Sequence, residues 1–116
     1  MTIQTGLSPA DLVACQLDTY NAQDVEGHCA CYADDLIATN LNGEVTLRGV
    51  PALRAMLEQM FAEFPQNHAE LKTRIVIGDV VIDHEHVTRG PDGPQFEVAA
   101  IYTIANGKIV RVDFVK

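Results

Sequence analysis

A chain of 116 residues that is 47% hydrophobic, with a mean hydropathy of +0.05, is long enough to bury a core without disulfide or metal staples and too apolar to stay disordered. Sixteen acids against 8 bases leave a formal charge of −8, and seven of those acids precede the first basic residue, Arg48. Such a field opposes phosphate backbones and anionic lipid, which argues against nucleic acid or membrane as partners.

The opening MTIQTG has neither the basic nor the apolar region of a signal peptide, and no apolar run approaches the ~20 residues of a membrane span, so one cytoplasmic domain is expected. SPAD at 8–11 then starts a helix: Ser8 caps, Pro9 suits the first turn, and Asp11 favours the positive helix end. The helix is predicted from Pro9 to about Tyr20, with Leu12, Val13, Leu17 and Tyr20 as its apolar stripe and the polar Gln16 inside it. Asp24 caps a second, short helix that carries Val25, Cys29 and Tyr32 on one side.

Two short strands follow around Asn42-Gly43, a two-residue hairpin signal. A third helix, VPALRAMLEQMFAEFP, places Leu53, Met56, Leu57, Met60, Phe61 and Phe64 at helical spacing between Pro51 and Pro65. Four strand-like blocks complete the chain, HAELKTRIVI, VVIDHEHVT, FEVAAIYTIA and KIVRVDFVK, joined at Gly78-Asp79, GPDGP and Asn106-Gly107. Helices first and then strands joined by tight turns predict an α+β fold, a curved antiparallel sheet with three helices on one face and a pocket between the layers.

The chemistry-bearing stretch is VIDHEHVT at 81–88. On a strand, His84 and His86 share one face with Val80 and Ile82, while Val81, Asp83 and Glu85 share the other, which reads as an outer or dimer-contacting surface. The histidines either line the sheet through hydrogen bonds or supply a general acid or base. H-x-H also holds two metal ligands, but no third is suggested by spacing, and neither metal nor cofactor is expected. Cys15, Cys29 and Cys31 are odd in number and lack C-x-x-C spacing, which reads as free thiols in apolar surroundings.

YNAQDVEGHCACYADD at 20–35, LRGVPALRAM at 47–56 and IANGKIVRVDF at 104–114 together resemble the nuclear-transport-factor-2-like superfamily, most closely its small SnoaL-like and ketosteroid-isomerase-like proteins. The resemblance spans nearly the whole chain. It implies a cone-shaped, cystatin-like α+β barrel with a mixed sheet, a pocket for a small apolar molecule, and a homodimer formed through the sheet. Ketosteroid isomerases need a pocket carboxylate as base and an oxyanion hole of a tyrosine and an aspartic acid that its apolar site keeps protonated. By the count from the Asn-Ala-x-Asp turn, the tyrosine falls on Gln16 and the base on Asn40. Counted back from the NGK hairpin, the acidic donor falls on Ala99, on a face that would leave Tyr102 outside. Limonene-epoxide hydrolases, of the same fold, use an aspartate–arginine–aspartate relay whose positions fall near His86, Thr88 and Asp113, an incomplete set.

The candidate catalytic residues are therefore His84, His86 and Asn40. The candidate ligand-binding residues are Gln16, Tyr20, Tyr32, Asn40, Met56, Met60, Phe61, Val112 and Phe114. The function that follows is binding of a hydrophobic carbonyl compound, with isomerase, hydratase or cyclase chemistry, or else noncatalytic ligand binding or dimeric protein interaction.

Overall fold

The computed structural model describes residues 7–116. Helix α1 (Pro9–Asn21) starts as its cap residues dictate: Ser8 Oγ accepts from the Asp11 amide at 3.1 Å. Helix α2 (Val25–Cys29) is likewise capped by Asp24, which accepts from the Gly27 amide at 2.9 Å. Strand β1 (Tyr32–Asn40) follows at once, so Tyr32 belongs to a strand and not to the second helix as expected. Strand β2 (Val45–Arg48) closes the hairpin over Asn42, whose φ of 60° is the left-handed conformation that such turns demand.

Gly49, at φ 83°, reverses the chain into helix α3 (Val50–Glu63) while its amide bonds the Leu36 carbonyl at 2.8 Å; a side chain there would strain the backbone. Strands β3 (His68–Ile77), β4 (Val80–Thr88), β5 (Gln95–Ala105) and β6 (Lys108–Val115) then run as an antiparallel meander. The sheet order is β2-β1-β6-β5-β4-β3, with β1 and β6 parallel and every other pair antiparallel. The mixed six-stranded sheet with three helices is the expected α+β class.

The helices cover one face of the sheet. Leu12 and Val13 of α1 and Leu53, Leu57 and Phe61 of α3 meet Leu36, Val81, Ala100, Tyr102, Ile109 and Val112 from the strands in one buried cluster. The opposite face carries Ile75, Ile77, Ile82 and Ile101 and has no helix over it among the described residues. No helix among the described residues is long and apolar enough to cross a membrane.

Candidate functional site

Between the helices and the concave sheet face lies a cavity of about 470 Å³, within the ordinary size of small-molecule sites. Gln16, Leu17 and Tyr20 reach it from α1, His28 from α2, Met56, Leu57 and Met60 from α3, and Leu36 and Ala38 from β1. The sheet supplies Glu85, Val87, Val98, Tyr102, Val112 and Phe114.

Most of this wall is apolar, so its few polar groups define the site. Tyr32 donates from its hydroxyl to Gln16 Oε1 at 3.1 Å, which gives the amide inside the helix stripe its partner. The Gln16 side chain also stands near the Tyr102 hydroxyl and slightly opposes the rise that burial imposes on that group's pKa. Burial pushes both tyrosines well above the ordinary range, so each keeps its proton. Below them, His28 is buried, with Nδ1 2.8 Å from the Gln16 carbonyl oxygen. Because a carbonyl only accepts, Nδ1 carries the proton; burial lowers the pKa to about 4, and the ring is neutral.

Glu85 is the exceptional group. It is 7% exposed, and its Oε2 is the one buried side-chain N or O atom without a hydrogen-bond partner among the described residues. Burial, and then the neighbouring Asp83 charge, raise its pKa to about 7, against a smaller lowering by Arg74. Asp83 itself is fully buried yet compensated, since Arg74 on β3 grips both of its oxygens, Nε to Oδ1 at 2.7 Å and Nη2 to Oδ2 at 2.9 Å. One acid of the pair is thus held by a cation, and the other faces an apolar cavity with no cation of its own.

These placements reverse the expected faces of β4. Asp83 and Glu85 point inward with Val81 and Val87, whereas His84 and His86 stand on the outer face and pair across β5, His84 Nε2 with Glu97 Oε1 at 2.5 Å and His86 Nε2 with Gln95 Oε1 at 3.1 Å. Neither histidine lines the cavity. The neighbouring strand decides the matter: Arg74 stands opposite Asp83 and offers the inner acids a counter-charge that no outward placement needs. Tyr102 likewise faces in, and Ala99, Ile101 and Thr103 face out. The β5–β6 ladder shifts register between Thr103 and Ile104, and one extra residue reverses every face counted through the NGK hairpin.

Other candidates divide. Gln16, Tyr20, Tyr32, Met56, Met60, Val112 and Phe114 all line the cavity. Asn40 does so only at its rim; it is exposed and donates to Glu44 Oε1 at 2.6 Å. Phe61 is absent from the wall because it packs edge-on against Tyr20, ring centroids 5.6 Å apart, inside the core. Asp113, the last of the relay positions, lies on the outer face of β6, a strand paired on both sides, and its carboxylate accepts from Thr39 and, at 3.1 Å, from Arg111. Among the described residues no three His, Cys, Asp or Glu side chains converge to hold a metal.

The sequence reading passed over Glu85, Asp83 and His28. The alternation of β5 carried the missing signal, since Phe96, Val98, Ala100, Tyr102 and Ile104 form an unbroken apolar parity whose partners on β4 are Val87, Glu85, Asp83 and Val81.

Residues 13–112 match the family model described as a SnoaL-like domain. No curated protein sequence matches the chain. Among solved structures, an uncharacterized cystatin fold protein from Novosphingobium aromaticivorans superposes with a TM-score of 0.90 at 38% identity, covering 96% of this chain and 100% of its own. A Kribbella flavida protein provisionally named a ketosteroid isomerase gives 0.77 at 17% identity, covering 91% of this chain and 75% of its own. A Sinorhizobium meliloti protein provisionally named a polyketide cyclase gives 0.75 at 20% identity, covering 94% and 100%.

Proposed function

The chain belongs to the SnoaL-like domain family, and from that premise we propose that its cavity binds a hydrophobic carbonyl compound and moves a proton at the carbon beside the carbonyl, with Glu85 as the base. The observation that carries this reading is the Glu85 carboxyl, buried in an apolar cavity with Oε2 unpartnered and a pKa of about 7. A base of that pKa is half ionised at neutral pH and strong enough to take a proton made acidic by an adjacent carbonyl.

The step balances within the site. The Glu85 carboxylate takes the proton, the carbon–hydrogen pair moves into an enolate, and the enolate oxygen accepts from the Tyr102 hydroxyl, which lines the same cavity. Where the ketone is β,γ-unsaturated the enolate is a conjugated dienolate, and Glu85, now a carboxylic acid, returns the proton to its γ-carbon and completes an isomerisation to the α,β-unsaturated ketone. Where the ligand carries a second carbonyl, the enolate carbon attacks it instead and closes a ring, with the proton passing to the new alkoxide. The provisional names of the Kribbella and Sinorhizobium proteins belong to these two outcomes of one enolate. The ketosteroid-isomerase positions at Gln16, Asn40 and Ala99 hold no acid; the carboxylate comes from β4 instead.

The test is exchange of the proton beside the ketone of β-tetralone in deuterated buffer, followed by NMR. Wild-type protein should accelerate it and Glu85→Gln should not. A Glu85→Gln variant that is folded and as fast as wild type defeats the reading.

We further propose a homodimer through the outer sheet face. Ile75 and Ile77 are 48% and 69% exposed on edge strand β3 and continue into Ile82 and Ile101, an apolar surface on a face that no helix of the described residues covers.

A further inference from the structure

We propose that the ligand is an amphipathic keto acid, whose carboxylate is held at the cavity mouth by Arg89 and Lys116 while its ketone lies beside Glu85 and Tyr102. This deepens the reading of Glu85 as a base and rests on it.

Arg89, one residue past the end of β4, continues the inward series Glu85, Val87 into the cavity wall, four residues and roughly 13 Å of extended chain beyond Glu85. Its Nη1 donates to Asn67 Oδ1 at 2.7 Å, to Met60 Sδ at 3.0 Å and to the Tyr20 hydroxyl at 3.2 Å. Its Nε and Nη2 donate to nothing among the described residues, and no carboxylate there lies within ion-pair distance of it. Of the other four arginines, Arg54, Arg74 and Arg111 are each paired with an acid, and Arg48 is exposed on β2. In a chain of charge −8, a half-buried guanidinium without an acid is the anomaly. A guanidinium also stays charged at any working pH and cannot relieve its burial by losing a proton.

A second cation joins it. The Arg89 guanidinium carbon lies 5.0 Å from the Phe96 ring centroid and Lys116 Nζ lies 5.8 Å from the same centroid, so one aromatic side chain of the cavity wall bears two positive charges. Phe64 lies 5.9 Å from the guanidinium carbon and helps to fix its plane. The fork of free N–H groups suits a planar carboxylate, and the neighbouring ammonium adds charge without demanding geometry. Between this mouth and Glu85 the wall is Leu17, Ala69, Val87 and Val98, a lining for an apolar body. Ligand polarity is therefore set at two points and excluded between them.

The experiment is calorimetric titration of wild type, Arg89→Gln and Lys116→Gln with naphthoylbutyrate and with its methyl ester, which differ only in the charge. The carboxylate should bind wild type about tenfold tighter than the ester, a ratio that falls toward one in Arg89→Gln and part of the way in Lys116→Gln. Equal affinities, a preference for the ester, no binding of the carboxylate, or a ratio that survives both substitutions overturns the proposal. Should Arg89→Gln fail to fold, the exposed Lys116→Gln and the fall of the wild-type ratio with added salt decide it, and a ratio indifferent to both is fatal. Deuterium exchange beside the ketone of the ester, followed in parallel, reports on Glu85 separately: exchange with equal affinities removes only the anion site, whereas a charge-dependent ratio without exchange removes the base and leaves the anion site standing.

Discussion

Asp83, with none of its surface exposed, is held by Arg74 through two parallel N–H···O bonds of 2.7 and 2.9 Å. Asp83 stands beside a second buried carboxyl, Glu85, and its charge supplies part of what raises the latter's pKa. Substituting Arg74 by Leu leaves the Asp83 charge buried and unpaired, and should cost about 3–5 kcal/mol of unfolding free energy in urea titrations, whereas the Arg74→Leu/Asp83→Leu double variant should recover most of that loss. Equal loss in the single and double variants contradicts an interaction of this kind.

Glu85 and His28 pull stability in opposite directions with pH. The folded Glu85 pKa of about 7 stands above its ordinary 4.5, so the folded state binds the proton better, and stability present below pH 4.5 is lost as pH rises through 7. The folded His28 pKa of about 4 stands below its ordinary 6.5, so stability present above pH 6.5 is lost as pH falls through 4. Each effect amounts to about 3 kcal/mol, and between pH 4.5 and 6.5 their slopes nearly cancel. Glu85→Gln should therefore expose the histidine slope, and the stability of wild type minus that of Glu85→Gln should fall by about 3 kcal/mol between pH 4 and pH 8, as read by chemical denaturation across pH. A difference that stays constant with pH excludes the raised Glu85 pKa.

The same titration should appear in the chemistry. Proton exchange from β-tetralone by wild type should rise with pH and level off above an apparent pKa of about 7, as the carboxylate form accumulates. Glu85→Gln should lower the rate about 100-fold or more, and Tyr102→Phe should lower it about 10- to 100-fold at unchanged apparent pKa, since it removes a donor to the enolate oxygen and not the base. His84→Leu, on the outer face, should leave the rate as it is. Exchange that depends on His84 and ignores Glu85 would return the chemistry to the outer histidines.

A charge placed in the outer apolar patch should split the dimer. Ile77 is 69% exposed on β3, and Ile101 faces outward opposite Ile82 on β4. Light scattering on a sizing column should give twice the 12.7 kDa chain mass for wild type and the single-chain mass for Ile77→Glu/Ile101→Glu. A wild-type protein of single-chain mass at high concentration rules out this assembly.

Helix ends and tight turns were legible because the residues that make them are neighbours in the chain. Ser8 and Asp24 accept the amides that their positions promise, and Asn42 and Asn106 adopt the positive φ that Asn-Gly turns require. The Gln16 amide inside an apolar helix stripe announced a buried partner, and Tyr32 is that partner. The faces of β4 were not legible from VVIDHEHVT, where Val80 and Ile82 on one parity balance Val81 and Val87 on the other and each parity also carries two ionisable residues. Counting from the NGK hairpin could not repair this, because the register shift between Thr103 and Ile104 leaves no unmistakable mark in the letters.

The sequence by itself determined the α+β class, the helix caps, the hairpin turns and the helix stripes, all of which depend on residues a few positions apart. Only the tertiary structure decided that Asp83 and Glu85 face the cavity and that His84 and His86 face away. An acid tolerates burial when a partner reaches it, and that partner, Arg74, comes from across the ladder of another strand. The pKa of Glu85 is a property of the same kind: it is set by the water that α1, α3 and the sheet exclude together, a volume that no one segment of the chain encloses.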